Sequence, residues 1–199
     1  AMIEIKNINT TEPYSKFLKF YNQALKANQT NIEAIAISSF NKSMQEVESR
    51  FVNIKYILND EWIFFTNYSS KKSEDFSGHK QISSIFFWHT INVQIRIKAI
   101  IKKTQIDFNQ IHFNKRTKEK NALAVSSNQS QKIDSYEEVK NNFNLVLEKQ
   151  NFDNCPEYWG GYSFVPYYFE FWEGHETRIN KRNVYEFING NWSNYLLQP

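Results

Sequence analysis

Cationic and hydroxyl side chains gather around two short predicted strands within residues 50–72. Arg50 and Lys55 lie in the first strand, Thr66 ends the second, and Lys71 and Lys72 follow two serines where a helix is expected to begin. Lys and Arg side chains, hydroxyl groups and the free N–H groups of a helix N-terminus are the donors that bind phosphate in proteins. These residue types therefore predict an anion site that could hold a phosphate group.

The elements that position these side chains are predicted to form a β-hairpin. Apolar and polar residues alternate over residues 50–56, which is the period of a strand with one face toward a core. Residues 59–61 are Asn, Asp and Glu, a polar break that predicts a turn. The second strand, over residues 62–66, is mostly apolar, so we expect both of its faces to be buried.

Length and composition are typical of a globular protein of ordinary size. The chain has 199 residues, of which 41% are hydrophobic, 23% charged and 17% aromatic. We expect one domain over residues 1–199, in which residues 1–30 form an N-terminal tail and helix. The net charge of +3 is small and the basic residues are mixed with acidic ones, so we predict no nucleic-acid partner.

Cysteine and histidine usage argues against a disulfide or a metal site. Cys155 is the single cysteine, and the four histidines show no HExxH or similar spacing. No apolar run is long enough for a transmembrane helix, and the first residues lack a signal-peptide pattern. We therefore predict a cytoplasmic protein with no metal and no membrane partner.

Strands dominate the remaining predicted elements, and helices occur at the start and in the middle. Residues 1–12 are predicted to be mobile, Pro13 opens a helix, and a capping box of Ser135 and Glu138 opens a second helix through Lys149. Further predictions are strands over residues 32–40, 81–89, 93–103, 161–172, 176–187 and 192–197, a hairpin turn at 189–190, a tight turn at 159–161, helices over 70–78 and 105–120, and a loop or lid over 121–133. Because no βαβ period repeats, we predict an antiparallel barrel with flanking helices.

Several motifs resemble, in order, those of the pyridoxamine/pyridoxine 5′-phosphate oxidase family. RFVNIK at residues 50–55 resembles the family's R-x-V-L-L-K strand, and FTN with SKK, at residues 65–67 and 70–72, resembles its Y-T-N-x-x-S-R-K segment. The further matches are Trp88-His89-Thr90 with Gln94 (F-x-W-H-x-L-x-x-Q-V), Gln129-Ser130 (Q-S), Trp159-Gly160-Gly161 (W-G-G), Glu170-Phe171-Trp172 (E-F-W), Arg178 with Arg182 (R-x-H-x-R) and the last four residues (L-x-P). Each motif is weak alone, but their common order over roughly residues 30–199 makes the resemblance specific.

The resemblance implies an FMN-binding split β-barrel that is antiparallel and dimeric, with two FMN sites at the subunit interface. It implies oxidation of pyridoxine 5′-phosphate or pyridoxamine 5′-phosphate, phosphorylated B6 vitamers, to pyridoxal 5′-phosphate, with O2 consumed and hydrogen peroxide released. The flavin supplies the redox chemistry and the protein orients the substrate. By position, and partly from the second subunit, the FMN-binding residues would be Arg50, Phe51, Val52, Asn53, Ile54, Lys55, Phe65, Thr66, Lys71, Lys72, Gln94, Gln129, Ser130, Trp172 and Arg182.

The predicted substrate-phosphate site departs from the family pattern. Lys55 and Arg116 keep the family's residue types, whereas His112 stands where the family has tyrosine and Lys120 where it has serine. Histidine and lysine can both bind a phosphate oxygen. We therefore expect these four residues to form a rebuilt site for the substrate phosphate.

The motif R-x-H-x-R is also altered, and it carries the predicted catalytic residues. Arg178, which the resemblance places over the reacting carbon, is present, but Asn180 replaces the histidine. Asparagine can donate and accept hydrogen bonds but cannot titrate near neutral pH. The changes at His112, Lys120 and Asn180 leave two alternatives open. One is a related flavin oxidase of another reduced ring, as in phenazine biosynthesis, and the other is a flavin-binding module without turnover.

Overall fold

The computed structural model describes residues 2–199. The strands are β1 (Glu4–Lys6), β2 (Ala34–Asn41), β3 (Glu46–Asn53), β4 (Tyr56–Leu58), β5 (Glu61–Asn67), β6 (Gln81–Trp88), β7 (Val93–Lys103), β8 (Trp159–Glu173), β9 (Lys181–Ile188) and β10 (Asn191–Leu197). The helices are α1 (Glu12–Lys26), α2 (Lys71–Gly78), α3 (Ile106–Lys115), α4 (Lys118–Ser126) and α5 (Tyr136–Lys149). Over residues 2–199, no helix has both the length and the apolar character that a membrane crossing requires.

The ten strands of the described chain belong to one sheet, and β8 is its central strand. The strand order is β1-β4-β5-β8-β7-β6-β2-β3, with β9 also paired to β8 and β10 paired to β9. One edge of β8 pairs with β7, and the other pairs with β5 over residues 159–164 and with β9 over residues 168–173. Only the β1–β4 pair is parallel within the described chain. The sheet therefore splits along β8, because the two halves of one edge have different neighbours.

Helix α1 contributes an aromatic face to the core. Pro13 lies in its first turn, and Phe17 is fully buried with its ring centroid 4.5 Å from that of Trp62 on β5. The segment before α1 is also ordered, because β1 pairs with β4 and the Ile3 N–H donates to the Tyr21 hydroxyl at 3.0 Å. The prediction of a mobile segment over residues 1–12 was therefore wrong for residues 2–12, and residue 1 lies outside the described residues. The polar residues of this segment suggested an unpaired tail, and no local pattern could show that its backbone pairs with β4.

The predicted strand over residues 50–56 is in fact two strands. The Ile54 N–H still donates to the Glu33 carbonyl beside β2, but the Lys55 N–H donates to the Ile63 carbonyl of β5. The chain thus changes partners between Ile54 and Lys55, and β4 then pairs with β5 through a turn at Asn59. Side-chain alternation continues across this crossing, so the sequence pattern could not reveal it.

Three other predicted boundaries were wrong. Residues 118–126 form α4 rather than the end of one helix and the start of a loop, since Thr117 caps this helix and Asn121 is buried inside it. The strand predicted over 176–187 begins only at Lys181. Gly160 and Gly161 lie inside β8 rather than in a turn.

Two local predictions were confirmed. The Ser135 side chain accepts a hydrogen bond from the Glu138 N–H at 3.1 Å and caps α5. Asn189 and Gly190 have φ values of 51° and 83°, as the two central residues of a type I′ hairpin require, and they join β9 to β10.

Gly160 allows β8 to pack closely against its neighbours, and this generates a stability prediction. A Cβ atom at this position would collide with the Tyr68 hydroxyl and the Asn109 amide, which hydrogen-bond each other at 3.1 Å. We expect Gly160→Ala to lower the free energy of unfolding by about 1–3 kcal/mol through overpacking, measured by urea denaturation. Gly78→Ala is the control, because its nearest contact would be 3.9 Å away. Equal destabilisation by both variants would contradict this explanation.

Candidate functional site

A cavity of about 410 Å³ opens where β3 ends and the chain crosses to β4. Five of the described residues that line it are Lys or Arg, and none of the described residues there is Asp or Glu. Such a concentration of positive charge favours an anionic ligand. The lining residues are Phe51, Val52, Asn53, Lys55, Phe65, Thr66, Lys72, His112, Lys115, Arg116, Thr117, Lys120, Gln129 and Trp159.

Three nearly parallel rings form an aromatic wall of this cavity. The centroids of Phe65 and His112 are 3.7 Å apart, and those of Phe65 and Trp159 are 5.3 Å apart. The Arg116 guanidinium lies over the Trp159 ring, with its central carbon 4.3 Å from the centroid. A flat wall with a cation above it suits a planar, negatively charged ligand.

His112 is a neutral member of this wall. Its Nδ1 lies 2.8 Å from the Tyr56 hydroxyl. Burial lowers the pKa of His112 to about 4, and the positive charges of Arg116, Lys55 and Lys115 add to the effect. The imidazole therefore carries no charge at neutral pH, so it acts in this site as a ring and a hydrogen-bonding group rather than as a cation.

Arg116 and Lys55 are cations that have lost much of their hydration. Burial lowers the pKa of Arg116 to about 10, and its Nη1 is buried without a hydrogen-bond partner among residues 2–199. Its Nη2 donates to the Lys120 carbonyl at 2.8 Å. Burial also lowers the pKa of Lys55, and the charges of Lys120 and Arg116 lower it further while Glu33 partly offsets them. A buried guanidinium donor without an acceptor is a position that a ligand oxygen would satisfy.

Lys72 forms a second cationic centre at the start of α2. Its Nζ donates to Thr66 Oγ1 at 3.0 Å and to Ser70 Oγ at 3.2 Å, and Thr66 in turn donates to Gln129 Oε1 at 2.9 Å. Burial lowers the pKa of Lys72 to about 8, with a further contribution from the charge of Arg50. This chain of donors fits a phosphate group, because hydroxyls, an ammonium and a helix N-terminus converge there.

Arg50, Lys71 and Ile54 lie outside the cavity lining. Arg50 and Lys71 both form ion pairs with Glu48, which stands two residues before Arg50 on β3. Ile54 is fully buried in the hydrophobic core. The cationic pair is therefore adjacent in sequence to cavity residues but engaged by a carboxylate of the same chain.

The remaining predicted residues other than Ser130 form a second group around the end of β8. Gln94, Trp172 and Arg182 are direct neighbours across β7, β8 and β9. Arg182 is oriented by the buried Glu170, to which its Nε donates at 2.8 Å. Arg96 binds the other oxygen of this carboxylate at 3.0 Å. We call these three residues, together with Arg178 and Asn180 of the loop between β8 and β9, the C-terminal group.

Arg178 and Asn180 lie in the loop between β8 and β9. Arg178 is exposed and has a φ of 63°, and the Asn180 side-chain oxygen accepts a hydrogen bond from the His175 N–H at 2.9 Å.

Ser130, with a φ of 72°, lies in the loop between α4 and α5, beside rather than within the main cavity. Left-handed backbone at non-glycine residues is strained and often found at functional sites.

One chain does not bring the cavity and the C-terminal group together. Trp159 and Trp172 stand near opposite ends of β8. The thirteen residue-to-residue steps between them span roughly 40 Å along an extended strand. The two sets of predicted residues can share one site only if a second copy of the chain contributes one of them.

Lys115, Thr117 and Trp159 line the cavity but were not predicted as site residues. Lys115 lies three residues after His112 on α3, and this spacing places two residues on the same face of a helix. That spacing was a usable signal. Trp159 was assigned to a turn, and its place beside Asn67 in the β5–β8 register is a long-range pairing that no local pattern contains.

Similarities to known proteins bear on this site. A family model described as the pyridoxine 5′-phosphate oxidase C-terminal dimerisation region matches residues 159–199. A pyridoxine/pyridoxamine 5′-phosphate oxidase of Hydrogenovibrio crunogenus is 32% identical over 194 residues, which cover 95% of this chain and 89% of that protein.

Two solved structures share the fold. PhzG from Burkholderia lata, in complex with tetrahydrophenazine-1-carboxylic acid, has a TM-score of 0.89 at 21% identity and covers 98% of this chain and 100% of its own. A pyridoxamine 5′-phosphate oxidase-related, FMN-binding protein of Nostoc punctiforme has a TM-score of 0.78 at 10% identity, over 96% of this chain and 100% of its own. At these identities the likeness shows the fold alone. The predicted fold class, a mainly β split barrel with flanking helices, is confirmed.

The neutral state of His112 predicts a pH dependence of stability. Its folded pKa of about 4 lies below the usual value of 6.5, so the unfolded chain binds more protons between these values and stability falls as the pH drops through this window. We expect His112→Phe, which keeps a ring in the stack but cannot titrate, to lose less stability than the parent between about pH 7.5 and about pH 5. Urea denaturation at both pH values measures this. Equal losses in the two proteins would contradict a neutral, buried His112.

Proposed function

This chain belongs to the pyridoxine/pyridoxamine 5′-phosphate oxidase family, and we propose that it oxidises pyridoxine 5′-phosphate or pyridoxamine 5′-phosphate to pyridoxal 5′-phosphate, reducing O2 to hydrogen peroxide. Members of the family are FMN-dependent oxidases, so FMN is the cofactor. The predictions of the family, of an oxidase and of FMN are confirmed. The substrate is the part that we propose.

The observation that carries this proposal is the cavity with five cationic side chains and no described carboxylate in its lining. Both FMN and the proposed substrates are flat rings that carry a phosphate ester. The cavity offers cations on two different elements, Lys72 on α2 and Arg116 after α3, together with an aromatic wall. Two cationic centres beside stacked rings suit two phosphates on two flat ligands.

FMN would be held mainly by the Lys72 centre. Lys72 and Thr66 would donate to its phosphate, and Gln129 would be released from Thr66 or would contact the ligand itself. The backbone of Val52 and Asn53, at the end of β3, would face the ring system. When bound, FMN supplies the two-electron acceptor of the oxidation and passes the electrons to O2.

The substrate phosphate would be held by the second cationic centre. Arg116 has an unpaired donor there, and Lys55 and Lys120 add positive charge. Neutral His112 can contribute one further donor, because Tyr56 donating to Nδ1 leaves the proton on Nε2. The altered residues at 112 and 120 are thus compatible with phosphate binding.

We propose that a homodimer completes the site. The C-terminal group lies within or beside the segment that resembles a dimerisation region, and β8 separates it from the cavity of its own chain. In a two-fold dimer, Gln94, Trp172 and Arg182 of one copy would complete the FMN site of the other. Arg178 and Asn180 of the same copy would lie over the substrate, where Arg178 would position the reacting carbon.

A related oxidase of another reduced ring is the second candidate. The departures at His112, Lys120 and Asn180 favour it, and the PhzG structure contains a tricyclic carboxylate. A carboxylate carries less charge than a phosphate, so the charge of the cavity favours the phosphate ester.

Arg116 provides a test of both activity and substrate class. The FMN-loaded protein is expected to release hydrogen peroxide with pyridoxine 5′-phosphate or pyridoxamine 5′-phosphate. Arg116→Met should lower kcat/KM for the active vitamer about 10- to 100-fold, chiefly through KM, because a charged hydrogen bond to the phosphate is lost. A coupled peroxidase assay measures this.

The controls separate the phosphate contact from general damage. Lys118→Met removes an exposed cation that does not line the cavity, so its kinetics should match the parent. Phosphate-free pyridoxine should react poorly, and Arg116→Met should not alter that rate. No peroxide from either vitamer, with FMN bound, would rule out the proposed substrates. Turnover of a reduced phenazine carboxylate would then support the second candidate, and no turnover at all would support a flavin-binding module.

A further inference from the structure

We infer that Glu48 is a built-in competitor for the FMN phosphate: its carboxylate pairs with both Arg50 and Lys71 and must leave them when FMN binds. This inference rests on the proposed function, which places the FMN phosphate at Lys72, and on the family resemblance, which adds the neighbouring Arg50 and Lys71 to the same phosphate site. Glu48 thereby sets how tightly the chain binds FMN and how strongly it prefers FMN to riboflavin, which has no phosphate.

The Arg50 guanidinium is almost fully engaged within the chain. Its Nη1 donates to Ser39 Oγ at 2.6 Å and more weakly to the Ile37 carbonyl at 3.4 Å. Its Nη2 lies 3.3 Å from Glu48 Oε2 and 3.7 Å from Asp75 Oδ2. Both terminal nitrogens therefore face protein oxygens, and a phosphate that binds them has to displace one of these oxygens.

Glu48 is the partner of Arg50 that can move. The Asp75 side chain is fully buried and accepts hydrogen bonds from Ser39 Oγ and Asn41 Nδ2 at 2.6 and 2.8 Å. The Glu48 side chain is 30% exposed, and its hydrogen bonds go to Arg50 and Lys71. A ligand can thus exchange with Glu48 without opening the core, whereas exchange with Asp75 would break a buried network.

Charge makes this exchange a competition. The Lys71 ammonium, and the charge of Arg50, hold the pKa of Glu48 below its usual value, so the carboxylate stays ionised at neutral pH. A carboxylate and a phosphate repel each other and cannot share the same donors. The phosphate carries the larger charge and also gains Lys72, which lies close enough to Arg50 for their charges to interact. The exchange therefore favours the binding of a phosphorylated flavin, whereas a flavin without phosphate gains no contact from it.

The test compares FMN and riboflavin binding to the cofactor-free full-length protein. Glu48→Gln removes the competing charge and keeps the side-chain shape, so we expect the Kd of FMN to fall about tenfold while the Kd of riboflavin stays unchanged. Quenching of flavin fluorescence on binding measures both constants. Glu48→Ala should show the same selective tightening, which guards against an effect peculiar to glutamine.

Glu74→Gln is the matched control, because it removes the same charge from an exposed position in the first turn of α2. It should change neither Kd. Unchanged or weaker FMN binding in both Glu48 variants would overturn the inference and would make Glu48 an orienting residue or an irrelevant one. Parent protein that binds FMN no tighter than riboflavin would instead overturn the proposed phosphate site itself.

Discussion

The candidate site depends on cationic side chains that are partly buried and therefore poorly hydrated. Lys72 and Arg116 lie in a cavity without described carboxylates in its lining, and burial lowers their pKa values to about 8 and about 10. Keeping such cations charged is unfavourable unless an anion arrives. Arg96 and Arg182, by contrast, are both paired with the buried carboxylate of Glu170. A ligand anion could supply to Lys72 and Arg116 the counter-charge that Glu170 supplies to these two arginines.

The long strand β8 is the reason why we propose a site built from two copies of the chain. Its first residues line the cavity and its last residues carry Trp172, and a strand that pairs along both edges cannot bend back to join them. In the proposed two-fold dimer, the residues at the end of β8 in one subunit would complete the cavity of the other. Besides pairing with the two arginines, Glu170 would then orient Arg182 toward a ligand in the cavity of the partner subunit.

Local chemistry made much of the fold predictable. The capping box at Ser135 and the Asn189-Gly190 turn were correct because each depends on a few adjacent residues. The partner change at Lys55 was missed because side chains keep alternating through it, and α4 was missed because its polar residues resemble those of a loop. Both the partner change at Lys55 and the formation of α4 depend on contacts between residues that are distant in sequence.

The candidate site was predictable only in part for the same reason. Motif order located Lys72, Thr66, His112 and Arg116, which the fold brings into one cavity. Residue types could not show that Glu48 occupies the donors of Arg50, since the two belong to one ordinary alternating strand. Nor could they show that His112 is uncharged, because its pKa depends on burial and on neighbours that only the fold supplies.

The most direct test of whether the cavity binds a B6 phosphate is the visible absorbance of the FMN-loaded protein during anaerobic addition of pyridoxine 5′-phosphate. We predict that the oxidised-flavin band disappears, and that the same concentration of pyridoxine without phosphate leaves it largely intact. A flavin band that persists with the phosphorylated vitamers, in protein that holds FMN, would contradict the assignment of the cavity to a B6 phosphate.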